Sequence, residues 1–168
     1  GRFPFNPPEW GRFMDTTGSL DGREQRALAK VIDKFERKFP QIRICIHITN
    51  LPSDFELREV GFWLFNFCPL AEGEDPEERA GSLLFLIDHG NRQMGLTVGY
   101  RFDAFIGDDT GTRALGEARD DLQAGDVVAA VGTVLYGLDQ VLVRKCQPSN
   151  DAAERFLRAP KPDLQVTP

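Results

Sequence analysis

The chain has 168 residues, 41% of them apolar and 27% charged. That is the profile of a globular protein with room for one domain plus flexible ends, able to bury a core without disulfides or a structural metal. Its 20 Lys plus Arg against 26 Asp plus Glu leave a net charge of −6, which argues against a nucleic-acid surface, because phosphate binding draws on clustered cations. No run reaches the roughly 18 apolar residues of a spanning helix, and the uncharged stretch Val127 to Leu138 stops at twelve residues, a length no other uncharged stretch exceeds. No signal-peptide pattern opens the chain, and Gly1-Arg2 reads as the start of an excised or processed segment.

Residues 1–13 hold three prolines and four aromatics and predict an extended arm, too rich in proline for a helix. Asp21 with Glu24 offers a capping box, and Leu28, Val31, Ile32, Phe35 and Phe39 follow at helical spacing until Pro40. Ile42, Ile44, Ile46 and Ile48 alternate with Arg43, Cys45, His47 and Thr49, which predicts a strand. Residues 54–67 read as a second helix, so dense in Phe55, Phe62, Trp63, Phe65 and Phe67 that it is either deeply buried or covered by a partner. Ala71 to Ala80, with five carboxylates, reads as a solvated acidic loop. It lacks the spacing of a calcium loop.

Leu83 to Ile87 is a short apolar run, the mark of a strand buried on both faces. Asp88-His89-Gly90-Asn91 makes a hairpin turn, and Met94, Leu96, Val98 and Tyr100 alternate along the returning strand. After a loop from Arg101 to Asp109, residues Thr110 to Leu122 predict a third helix. Val128, Val131, Leu135, Leu138 and Leu142 predict a long fourth one. Residues 147–168 read as a flexible tail with one short helix near Ala152–Leu157. The order of elements implies a strand–helix–strand unit with parallel pairing, plus an antiparallel hairpin. With helices on both faces, the fold class is α/β: a three-layer α/β/α sandwich with a small mixed sheet.

Cysteine and histidine remove several chemistries. Cys45, Cys68 and Cys146 cannot all pair internally and read as buried thiols. His47 and His89 are too few for a His-rich zinc site, and neither a nucleophile elbow nor a phosphate loop is present. The topology gathers the remaining polar residues at two ends. One end holds Asp15, Asp21, Asn50, Asp88, His89 and Asn91. The other holds Arg79, Gly81, Gly99, Tyr100, Arg101, Asp103, Asp108 and Asp109. Gly99 beside Tyr100 would let a backbone pass close to a ligand. Arg92 and Arg101 are either phosphate forks or salt-bridged surface residues. Asp108 and Asp109 read as helix caps or as hard oxygen ligands for calcium or magnesium.

The stretch from Met14 to Val143 resembles the TPM domain, often labelled the TPM phosphatase family. The resemblance rests on Asp15-Thr16-Thr17-Gly18-Ser19-Leu20, Gly81-Ser82-Leu83-Leu84-Phe85-Leu86-Ile87, Asn91 through Tyr100, Ile106-Gly107-Asp108 and Ala124-Gly125-Asp126. It implies a domain over residues 14–146, and an extracytoplasmic or membrane-tethered setting for the full-length protein. It also implies calcium binding or acid phosphatase activity in some members, and accessory roles in membrane complexes for others. On that resemblance the ligand or phosphate candidates are Gly99, Tyr100 and Arg101, and the metal candidates are Asp103, Asp108 and Asp109. The family's Asp-Asn-Gly turn is here Arg79-Ala80-Gly81, its Gly-x-Gly is Gly99-Tyr100-Arg101, and its proline before the last helix is absent.

A carboxylate exchanged for a cation weakens the case for catalysis, so no catalytic residue is assigned, and calcium or magnesium is expected to bind weakly if at all. The sequence points to a non-catalytic interaction module with a protein partner, accessory to a membrane-associated complex, in contact through the second helix and the N-terminal arm. The alternative is a metal-assisted acid phosphatase acting on phosphomonoesters.

Overall fold

The structure, a computed structural model, describes residues 12–68 and 75–146. The expectations for residues 1–11, 69–74 and 147–168 lie outside these. In chain order the elements are β1 (Phe13–Asp15), α1 (Gly22–Lys38), β2 (Arg43–Thr49), α2 (Leu57–Phe67), α3 (Pro76–Ala80), β3 (Ser82–Asp88) and β4 (Gln93–Val98), then a single 3-10 turn at Tyr100–Phe102, and α4 (Asp108–Glu117), α5 (Arg119–Gln123) and α6 (Val127–Cys146).

The four strands lie in the order β1-β2-β3-β4. β1, β2 and β3 are parallel and β4 returns antiparallel, the mixed sheet expected from the sequence. All seven residues of β3 are buried, as its unbroken apolar run requires of a central strand.

Register sorts the side chains onto two faces. Ile44, Ile46 and Ile48 stand level with Leu83, Phe85 and Ile87 and form one core with Leu28 and Phe35 of α1, Ala114 of α4 and the inner side of α6. On the opposite face Cys45, Leu84 and Leu86 pack under Val60, Leu64 and Phe65 of α2. Helices therefore cover both faces. Each fully buried Leu, Ile or Phe contributes roughly 1.5–3 kcal/mol of burial. β1, β2 and β3 step across the sheet in one direction while α1 and α2 lie on opposite faces, so the two crossovers differ in hand. Only one of them can therefore have the usual right hand.

Four local differences from the sequence reading have physical causes. β1 takes up Phe13, the last residue assigned to the arm. Its three residues carry no periodic signal, and they are held by β2 pairing. Pro76 to Ala80, expected in a loop, forms α3, because Asp75 accepts the Glu78 amide at 2.9 Å and Pro76 suits a first helical turn. The single helix expected from Thr110 to Leu122 is broken at buried Ala118, whose amide is shared between the carbonyls of Ala114 and Leu115, and α5 starts afresh at Arg119.

The fourth difference concerns α6. Its residues Val127–Arg144 are long and apolar enough to cross a membrane by length and composition, with a mean hydropathy of 1.4. Ala130, Val131, Val134, Leu135, Leu138 and Leu142 nevertheless recur every three or four residues and are spent on the core.

Candidate functional site

At the end of the sheet where β2 and β3 finish, the candidate carboxylates organise loops. Asp15 Oδ1 accepts the amides of Thr17 (2.9 Å) and Gly18 (3.1 Å) and the Thr17 hydroxyl (2.6 Å), while Oδ2 accepts the Leu20 amide (3.1 Å). Burial alone would raise its pKa, but these hydrogen bonds outweigh that and hold it below the ordinary 3.8. Gly18 sits at φ 63°, in the left-handed region, which suits glycine at this turn. The motif from Asp15 to Leu20 is thus a self-satisfied loop leading into the Asp21–Glu24 capping box of α1. Asp88, 2% exposed, likewise accepts the Leu51 and Asn91 amides, both at 3.3 Å, and the Asn91 side-chain amide at 2.7 Å.

Arg79, which stands in place of the family's carboxylate, and Arg92, a phosphate-fork candidate, both serve helix ends. Arg79 donates to the carbonyls of Asn66 (2.8 Å) and Cys68 (3.3 Å), satisfying the C-terminus of α2. Arg92, at φ 53°, donates to the carbonyls of Leu122 (3.4 Å) and Gln123 (3.0 Å) at the end of α5. Charge at a helix C-terminus also suits the dipole.

At the opposite end, Gly99 is pressed against the backbone of Arg79 and Ala80, so the close approach it permits is to its own chain. Tyr100 is exposed, and Arg101 pairs with Glu77 of α3 at 2.7 Å. Asp103 ends the 3-10 turn and Asp109 lies in the first turn of α4, both exposed. Asp108 opens α4 at a start with no side-chain cap, and its side chain lies outside what the structure describes. Among the described residues no three His, Cys, Asp or Glu side chains gather closely enough to hold a metal ion.

What the topology does build is a groove of about 550 Å³ along the outer side of β4, between α2 and α4. Leu57, Gly61 and Phe62 form one wall, Ile106, Thr112 and Leu115 the other, and Met94 to Val98 the floor. Sequence reasoning missed it. The glycines at 61 and 95 were its available signal, since a Cβ on Gly61 would lie 3.3 Å from the Thr97 hydroxyl and one on Gly95 3.2 Å from Leu57. Close helix–strand packing there is part of what shapes the groove.

No family model and no curated protein matches the chain. Among solved structures it is similar to the N-terminal domain of a protein from P. gingivalis, with a TM-score of 0.61 and 12% identity over 80% of this chain and 83% of that one. It is also similar to the N-terminal domain of a protein from Corynebacterium glutamicum, with a TM-score of 0.57 and 14% identity over 82% of this chain and 83% of that one. At such identity the likeness is one of fold. The chain has an α/β fold similar to that of these two N-terminal domains.

Proposed function

We propose that the chain is a TPM-like domain working as a non-catalytic interaction module, with α2 as its contact surface and a protein of a membrane-associated complex as its partner. The observation that carries this reading is on one helix. Phe62 is 61% and Phe67 70% exposed, while Val60, Leu64 and Phe65 of the same helix are buried. A helix that has already spent one face on the sheet and still presents aromatic rings to solvent has the composition of an interface anchor. The assignment of Arg79 to a helix end supports the same reading, because the position that the family's carboxylate would occupy serves stability here.

The test places a photo-crosslinking phenylalanine analogue at Phe62 or Phe67 in the cells that make the protein. Discrete adducts of one partner are expected, with none from the same analogue at Tyr136, which is 67% exposed on α6. Adducts from position 136 alone would move the surface elsewhere. In parallel, hydrolysis of p-nitrophenyl phosphate with calcium or magnesium is expected to stay at background. Turnover abolished by Asp103→Asn or Asp108→Asn would replace the proposal with the metal-assisted phosphatase reading.

A further inference from the structure

β4 ends the sheet, and no strand among the described residues pairs with its outer side. The Gly99 amide donates to the Ser82 carbonyl at 2.8 Å, and the antiparallel register continues through Thr97↔Leu84 and Gly95↔Leu86. In an antiparallel ladder the backbone groups alternate in direction. Those of Gly95, Thr97 and Gly99 therefore face β3, and those of Met94, Leu96 and Val98 face outward into the groove.

The strand Gln93–Val98 carries no charge and no proline, two of the devices that keep an edge from pairing. Three outward N–H groups and three outward carbonyls at every second residue are complementary to one thing, another extended backbone. The lining is mostly apolar, and its charged members are Arg58 on the α2 side, near the Gly95 end, and Asp103 beyond Val98. Both are exposed and neither makes an ion pair with the described residues. The edge lies between α2 and α4, so a second copy bringing its own β4 would also set its own pair of helices against these walls, whereas a single extended segment brings none.

We infer that the groove binds an extended segment of another protein as an added strand on β4. That segment is apolar along its length, with an acidic side chain at the Arg58 end and a basic one at the Asp103 end. This deepens the interaction-module reading and rests on it.

The test pans the protein against a library of random nonapeptides and follows amide exchange with the selected peptides. Selected peptides should slow exchange at Met94, Leu96 and Val98 together, by about tenfold or more. Val98→Pro removes one outward donor while leaving the inward ladder intact, as proline on an edge strand does. Gly111→Gln fills the groove from a position where an added Cβ meets nothing within 4 Å. Each should weaken binding about tenfold, and Arg58→Glu should turn the preference at that end from acidic to basic residues.

No enrichment, exchange at those three amides left unchanged, or equal binding by Val98→Pro and Gly111→Gln would overturn the inference. Protection of the same amides that grows with protein concentration and no peptide, alongside a dimer mass, would put a second copy in the groove and overturn it too. Photo-adducts from Phe67 persisting through such a failure would leave the interaction module standing without strand addition.

Discussion

A Cβ on Gly99 would lie 2.3 Å from the carbonyl oxygen of Ala80 and 2.6 Å from that of Arg79. The residue leaving β4 and the residues entering β3 are therefore in backbone contact, locked by the Gly99–Ser82 hydrogen bond. Through this contact the end of β4, the cap on α2 and the loop towards α4 share one position.

Gly99→Ala should accordingly cost about 1–3 kcal/mol or more, since only backbone stands in the way and neither strand can yield without losing pairing. Gly116→Ala, in α4 with nothing within 4 Å of the added carbon, should instead gain about 0.5–1 kcal/mol through helix propensity. Urea denaturation of both variants checks the pair. A harmless Gly99→Ala would show that the strand ends have slack.

Arg79→Asp removes two charge-assisted hydrogen bonds from the end of α2 and sets a carboxylate against its carbonyls. A stability loss of about 1–3 kcal/mol is expected, with Arg79→Lys intermediate because a single ammonium cannot reproduce the fork. The melting temperatures of the three proteins decide. Equal values would free Arg79 for a role beyond the cap.

The fold was legible where pattern is dense. The alternating isoleucines of β2, the run of β3 and the spacing of α6 each name an element, and together they name the layers. β1 was not legible, because Phe13–Asp15 becomes a strand only through tertiary pairing with β2. The candidate site was less legible still. Asp15, Asp88, Arg79 and Arg92 have the residue types of ligands, yet each is occupied by amides or carbonyls distant in sequence or in the next turn. The groove escaped notice because it is defined by what β4 lacks on its outer side, and absence of a neighbour leaves no local mark in a sequence.

Cys45 and Cys68 are 2% and 0% exposed. Both should resist alkylation in the native protein and react on unfolding, since the thiolate needs solvent to form. Mass spectrometry after brief labelling with iodoacetamide, with and without urea, distinguishes them by peptide. Rapid native labelling at Cys68 would mean that α2 lifts from the sheet.

His47 lies 1% exposed in β2. Burial lowers its pKa from 6.5 to about 4, against a raising pull from the Asp15 carboxylate, so it is neutral at pH 7. In the unfolded chain the imidazole regains a pKa of about 6.5. Between those values the unfolded state takes up a proton that the folded state refuses, and stability falls as the pH drops through that window. The contribution is fully present above pH 6.5. Its loss should approach about 3 kcal/mol near pH 4. Asp15 acts in the same direction lower down, because its depressed pKa stabilises the fold above the ordinary carboxylate value and the benefit fades as the group protonates. Urea midpoints measured from pH 7.5 to 4.5 should therefore decline steeply in the native chain and less so in His47→Leu, which has no proton to gain. The two slopes must differ below pH 6.5 and converge above it. Parallel slopes throughout would show that His47 titrates as it does in water.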